Sequence, residues 1–431
     1  LVLCAGLCLV ACGSDDSSSN AGEEPNPSAT PGAVTLTVTG RVYDSDSSGS
    51  PLEDVTVRAA VDSNGDGKIS SSEEVQATTD EEGRFSIVAP GVEKLATVVA
   101  FRSSGYATVF RTLKPRADAE VELDVAMLQV EPLECTAGRC RSPNGALEVA
   151  GLPDGTSGSG RAFNPITERD SFPGDFGDDQ GNLLLSGSFS FVELENEAGD
   201  VVHELDAPVA LEMRVPRDTW PVIVDIDASN ERIDVPMYAF DEVSGEWTRD
   251  GEGYLIDADG AEIPASELPD LRDGSFGGIV TARADVDHFS YWNVDWPIES
   301  HGCVTAELRT ASGEVAAGAT VRVAGRTYSG DSEESTDEGG NVCLDVMRSE
   351  SADEDIDNDG TKGTTHSVDV LVRHGGKLYA LGQHEVPKAA GTCGGSCLDL
   401  GTVELTEDKE LEPVICEVEG IVVDIRGVPQ D

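Results

Sequence analysis

The stretch Asp62-Ser63-Asn64-Gly65-Asp66-Gly67-Lys68-Ile69-Ser70-Ser71-Ser72-Glu73 sets oxygen-bearing side chains at loop positions 1, 3, 5, 9 and 12. A glycine stands at position 6 and an apolar residue at position 8. Hard oxygen donors around a sharp glycine turn suit a hard divalent cation, and this is the ligand spacing of an EF-hand calcium loop. The competing reading is an Asp/Asn/Gly turn that binds nothing. The flanks are strand-like, Val55–Val61 before the loop and Val75–Thr78 with Arg84–Ile87 after it. A calcium ion in a β-setting stiffens a loop rather than acting as a helical sensor.

A second acidic stretch, Asp355-Ile356-Asp357-Asn358-Asp359-Gly360, has acids at positions 1, 3 and 5 and glycine at 6. His366 occupies position 12, where the loop would need a bidentate Glu. Weak calcium binding through Asp355, Asp357 and Asp359, or a solvated acidic turn, are both open. Cysteines form the other reactive group. Cys135 and Cys140 can close a short loop, and they lack the four ligands of a zinc site, so a disulfide is expected. Cys303 and Cys343 are expected to bridge strands of one sandwich. Cys393 and Cys397 form a further candidate pair, with cross-pairing left open. Cys416 is left over. His288, beside Asp285, Asp287 and Ser290, has no second histidine cluster or general-base motif to work with. Read as one strand, it shares a face with Ser290 and Trp292, opposite Phe289 and Tyr291. Trp220, Trp247, Trp292 and Trp296 could form a sugar-stacking platform, but as the chain's only tryptophans they are expected to anchor the core.

The elements that must position these residues are strands. Val34-Thr35-Leu36-Thr37-Val38 alternates with period two. Gly, Ser, Asp and Thr are plentiful and aromatics few, as turn-rich β-proteins require. Asp80-Glu81-Glu82-Gly83 reads as a hairpin turn. Further runs lie at 98–101, 121–125, 183–185, 189–194, 209–215 and 222–226. Gly302–Leu308, Gly318–Val323 and Ser335–Leu344 repeat the pattern of the first hundred residues, and Val418–Pro429 begins it again. An internal repeat of this kind argues for an array. The fold class is therefore all-β, an array of β-sandwich domains behind a disordered tether.

"GRVYD" from Gly40, "EDVTVRA" from Glu53, "TTDEEGRFSI" from Thr78 and "APG" from Ala89 resemble carboxypeptidase regulatory-like domains, which are transthyretin-like sandwiches. With its acidic loop the first copy also resembles the calcium-binding B repeats of Gram-positive surface adhesins. By that resemblance and by the loop chemistry, Asp62, Asn64 and Asp66 give side-chain oxygens and Lys68 its carbonyl. Ser70 ligates directly or through water, and Glu73 with both carboxylate oxygens. Residues Phe172-Pro173-Gly174, Phe240-Asp241 with Gly245-Glu246-Trp247, and His288–Asp295 resemble an extracellular β-rich domain found in cartilage intermediate layer protein and its bacterial relatives.

Leu1–Ala11 is apolar, too short to span a bilayer and of signal-peptide length. Leu9-Val10-Ala11-Cys12 resembles the bacterial lipobox, which implies cleavage before Cys12 and its lipidation. Gly13, where Asp would retain the protein at the inner membrane, implies the outer membrane. Removing Cys4 and Cys8 with the signal and Cys12 to lipid leaves seven of the ten cysteines, an odd number that fits a partner beyond residue 431. The expected layout is a signal at 1–11, a polar tether at 12–33, and the first sandwich with its calcium loop at 34–130. An extracellular β-rich domain at 131–300, a second sandwich at 301–408 and the start of a further repeat at 409–431 complete it.

Asp plus Glu total 82 against 29 Lys plus Arg, a net charge of −53. Such a surface repels nucleic acid and attracts divalent cations. No HExxH, P-loop or nucleophile elbow is present. The expected protein is a non-enzymatic, calcium-stabilised, lipid-anchored surface protein of structural or adhesive role. Its partners would be the membrane through the anchor and a surface protein or glycan. The alternatives are a carbohydrate- or peptide-binding module, or the accessory part of an enzyme whose catalytic domain follows residue 431.

Overall fold

The computed structural model describes residues 33–46, 49–92, 95–114, 119–227, 229–357 and 360–411, and the backbone of short strands at Glu417–Val418, Ile421–Val423 and Pro429–Gln430. The signal, the tether with Cys12, and Cys416 lie outside these residues. The chain is almost entirely β. Among the described residues no helix is long and apolar enough to cross a membrane.

The alternation around Val38 becomes the central strand of the first sandwich. Ala33–Asp44 pairs antiparallel with Arg84–Val92 and parallel with Ala119–Met127. The facing sheet runs Glu74–Thr78, Thr56–Ala60, Thr97–Arg102, Val109–Leu113. The inward positions Leu36, Val38, Val57, Phe85, Phe101 and Leu123 fill the space between them. Gly302–Thr310 repeats this plan, antiparallel to Asn341–Val346 and parallel to Leu398–Leu405. Its facing sheet runs Asp331–Ser335, Thr320–Gly325, Ser367–His374, Lys377–Glu385. The two sandwiches thus share strand order and direction, as the sequence repeat requires.

Between them lies a 12-stranded sheet whose residues span 131–298. So long a sheet must curl, and both of its faces carry apolar cores. Strand Leu183–Glu195 is buried at nearly every position for that reason. One core holds Trp220, Trp292 and Trp296. The other joins Phe163, Phe172, Phe189, Trp247 and Tyr291 to Val98 and Phe110 of the first sandwich. The third unit is attached to the middle sheet through Leu183, Leu185 and Ile298. It meets the first directly, where Thr320 Oγ1 donates to Glu122 O at 2.9 Å and Arg373 pairs with Asp124 at 2.7 Å. All four tryptophans are buried and therefore build no surface platform.

Two strand expectations need correction. Residues 222–226 are not a strand: Val222 ends the short 3-10 helix Arg217–Val222, and 223–226 join no ladder. The stretch around His288 is not one strand either. Thr281–His288 ends there and Tyr291–Ile298 begins after a bend, pairing with different neighbours. Phe289, Ser290, Tyr291 and Trp292 are all buried because both faces of the sheet here carry apolar cores.

Candidate metal centres

The loop at 62–73 connects two antiparallel strands whose register pairs Ala60 with Glu74. Val61 N–H donates to Glu73 O at 3.0 Å and closes its neck. Within the loop the acids serve as backbone acceptors. Asp62 Oδ1 accepts from the amides of Gly65 (2.8 Å) and Asp66 (3.2 Å), and Oδ2 from Gly67 (2.8 Å). Asn64 Oδ1 accepts from Asp66 N–H, and Asp66 Oδ1 from Lys68 N–H. Gly65 and Gly67 have φ of 71° and 74°, a left-handed geometry that costs other residues about 1–2 kcal/mol.

Glu73 is the buried member, 5% exposed. Its Oε1 accepts from Ser63 N–H (3.0 Å) and Ser63 Oγ (2.5 Å), and its Oε2 from Ser70 N–H (3.0 Å) and Ser70 Oγ (2.7 Å). These bonds, the Ser63 hydroxyl first, pull its pKa down to about 2. The carboxylate is therefore ionised and ties both halves of the loop together. The donor set is all oxygen and fits a hard cation. Asp62, Asp66 and Glu73 are not among the groups of carboxylate, imidazole or thiol ligands that converge within 4.8 Å of one another.

One convergent group lies in the third unit. Glu350, Asp357 and His366 bring their ligand atoms within 4.8 Å of one another, all three side chains buried. Glu350 follows Asn341–Val346, Asp357 sits in the acidic loop, and His366 immediately precedes Ser367–His374. Glu350 Oε1 accepts from the amide of Ile356, and Oε2 from that of Thr364 at 3.0 Å. His366 Nε2 stands 3.7 Å from Asp357 Oδ2, and its Nδ1 3.0 Å from Thr327 Oγ1. Of the expected set Asp355, Asp357 and Asp359, the structure brings Asp357 into this group. Asp355 accepts from Gly360 N–H at 3.2 Å outside it, and Asp359 falls outside the described residues. His366 stands at position 12 of the acidic loop, itself a ligand position, whereas Glu350 lies before the loop and carries no spacing signal; only the fold brings it to Asp357.

The other convergent group among the described residues, Cys303, Cys343 and Cys397, is engaged in disulfides. Cys135–Cys140 closes across one hairpin. The expected Cys303–Cys343 and Cys393–Cys397 pairs are replaced by Cys303–Cys397 and Cys343–Cys393. Strand register explains the difference. Cys303 lies opposite Asp345 and Cys343 opposite Thr305, so the two cysteines are diagonal neighbours. Diagonal positions are about 7–8 Å apart, beyond disulfide reach. Cys397 instead precedes Leu398, which pairs in parallel with Val304, and its Cα lies 4.7 Å from that of Cys303.

His288 Nδ1 lies 3.2 Å from Asp287 and 3.8 Å from Asp250, with its ring against Trp292. A cleft of about 1130 Å³ separates the middle sheet from the third unit and is lined by Asp178, Asp179, Glu307, Glu334 and Asp399, with Lys114. Asp175, at its wall, has its pKa raised to about 7 by burial, opposed by Lys114 and reinforced by Glu333.

A carboxypeptidase regulatory-like domain model matches residues 37–128, which include the 62–73 loop. No curated protein matches the chain. Among solved structures, the full-length major pilin SpaD of Corynebacterium diphtheriae is 11% identical, over 86% of this chain and 96% of that one, with a TM-score of 0.17. The Bacillus cereus major pilin subunit BcpA is 11% identical, over 86% and 98%, with a TM-score of 0.16. A 3-chlorocatechol 1,2-dioxygenase from Rhodococcus opacus is 16% identical over 23% of this chain, with a TM-score of 0.19. The chain spans 61% of that dioxygenase's length. At these TM-scores the structural likenesses carry no argument about function.

Proposed function

We propose that this chain is a non-enzymatic, lipid-anchored surface protein whose β-sandwiches form a stiff spacer, with calcium in the 62–73 loop tightening the first. The carrying observation is the repeated sandwich topology on either side of a curled sheet, joined by apolar interfaces and braced by disulfides. Such a design transmits position and resists unfolding, which suits a structural or adhesive role. The leader that resembles a lipobox supplies the anchor, and nucleic acid is excluded as a partner by charge.

The calcium reading rests on the oxygen donors of Asp62, Asn64, Asp66 and Glu73 and on a loop neck already closed by backbone bonds. Calcium must compete with the four hydrogen bonds on Glu73, which places its affinity in the weak extracellular range, about 10⁻⁴–10⁻³ M. Thermal unfolding of the full chain in millimolar calcium and in chelator tests this. A raised midpoint in calcium, absent in Glu73→Gln, is expected; identical midpoints in the wild type refute it.

A second reading, a peptide-binding module, is favoured by the acidic cleft. Its ligand would be a Lys- or Arg-rich segment, and binding would weaken steeply with salt. A basic peptide that binds no better than its neutral analogue removes this reading.

A further inference from the structure

We infer that Glu350, Asp357 and His366 form a second metal centre, specific for a borderline divalent ion of the zinc class rather than for calcium. The inference is independent of the calcium loop and of the spacer reading.

Burial comes first. Glu350 and His366 are 0% exposed and Asp357 is 4% exposed. Two carboxylates taken out of water within 4.8 Å of each other repel, and each costs several kcal/mol unless balanced by positive charge. Among the described residues, Arg348 and Lys362 beside this loop are engaged elsewhere. Arg348 pairs with Glu354 at 3.0 Å and with Ser300 at 2.8 Å, and Lys362 Nζ donates to Asp353 O at 3.0 Å. A divalent ion neutralises both carboxylates at once.

Geometry comes second. Two ligand atoms each about 2.1 Å from one ion, at the tetrahedral angle of about 110°, are about 3.4 Å apart. His366 Nε2 and Asp357 Oδ2 are separated by 3.7 Å. In the tautomer whose Nδ1–H donates to Thr327 Oγ1, 3.0 Å away, the Nε2 lone pair faces Asp357, and that Nδ1 bond is the outer-sphere contact metal-bound histidines make. The amides of Ile356 and Thr364 hold Glu350, and the amide of His366 donates to Ser349 Oγ at 3.0 Å. All three donors are thus oriented by the backbone around them.

Donor chemistry names the ion. An imidazole nitrogen with two carboxylates suits zinc, and calcium prefers oxygen throughout. The ion would pin the 350–366 loop onto the strand that begins at Ser367, so that the two sandwiches are braced by different metals.

The test uses the untagged full chain, stripped with chelator and dialysed into excess calcium, then titrated with Co²⁺ as a spectroscopic stand-in for zinc. One equivalent of bound Co²⁺ is expected, with d–d absorption of a nitrogen/oxygen site and displacement by Zn²⁺. His366→Gln should weaken binding by at least about tenfold, and Glu73→Gln should leave it unchanged. Should His366→Gln fail to fold, the wild type decides alone. NMR-active cadmium should then couple to the imidazole that shows NOEs to the Tyr328 ring, which lies 5.9 Å from His366. Failure to retain Co²⁺ or Zn²⁺ in excess calcium, equal binding by folded His366→Gln, or absence of that coupling overturns the inference.

Discussion

Asp175 gives a prediction whose sign and size follow from its surroundings. It lies in the segment that also carries Phe172 and Phe176, against the third unit, and accepts from Glu333 N–H at 3.3 Å. Burial, with Glu333 and Asp331 nearby, raises its pKa from 3.8 to about 7 against the pull of Lys114. An acid with a raised folded-state pKa favours folding while protonated. Its contribution is fully present below about 3.8 and is lost as pH rises through about 7. That span corresponds to roughly 4 kcal/mol, which the wet cleft beside it discounts to about 2 kcal/mol. Asp175→Asn has no proton to lose, so the variant should match the wild type near pH 4 and exceed it by about 2 kcal/mol at pH 8. Urea unfolding followed by tryptophan fluorescence reads this, since Trp220, Trp247, Trp292 and Trp296 all lie in the middle unit. Parallel stability profiles for the two proteins from pH 4 to pH 8, or a variant less stable at pH 8, would refute the reasoning.

At a calcium concentration one hundred times the dissociation constant, global-opening amides in Thr56–Ala60 and Glu74–Thr78 should exchange about 100-fold more slowly, and Glu73→Gln should abolish the change. Non-reducing peptide mapping should recover Cys303–Cys397 and Cys343–Cys393, and a Cys303–Cys343 peptide would contradict the strand register. Replacing both Cys303 and Cys397 by Ala should cost roughly 3–5 kcal/mol in the third unit, measured by denaturant unfolding. Gly318 has φ of +70°, and a Cβ there would lie 1.9 Å from Glu120 O. Gly318→Ala should therefore cost at least about 2 kcal/mol, and a melting curve that matches the wild type would show that the first and third units do not pack closely.

Much of the fold was legible in the sequence because it is encoded locally. Period-two alternation around Val38 and its echo from Val304 to Leu308 pointed to strands, and both became central members of matching sheets. The turn at Asp80–Gly83 formed, with Gly83 N–H donating to Asp80 O and Gly83 at φ 72°, but it carries the chain from Glu74–Thr78 in one sheet to Arg84–Val92 in the other instead of closing a hairpin. Where the reading failed, a non-local term had won. Val222–Ile226 has strand composition, yet a 3-10 helix with Trp220 buried runs up to Val222 and the residues after it find no partner strand. The run through His288 alternates well, but both faces of the sheet there carry apolar cores.

The same division applies to the candidate sites. Composition and spacing alone determined the all-β class, the acidic surface, the internal repeat and the oxygen-donor set of the 62–73 loop, because each resides within one short segment or in sums over the chain. Only the tertiary structure decided what comes together from separate segments. Strand register sent Cys303 to Cys397, because diagonal neighbours are too far apart to bond. Packing of the third unit against the middle sheet put Asp175 beside Glu333 and raised its pKa. Loop closure before Ser367 carried Glu350 to Asp357 and His366, and no spacing along the chain foretold Glu350. Chain order sets which donors a loop contains, and the burial and register of distant strands set which of them can share one ion.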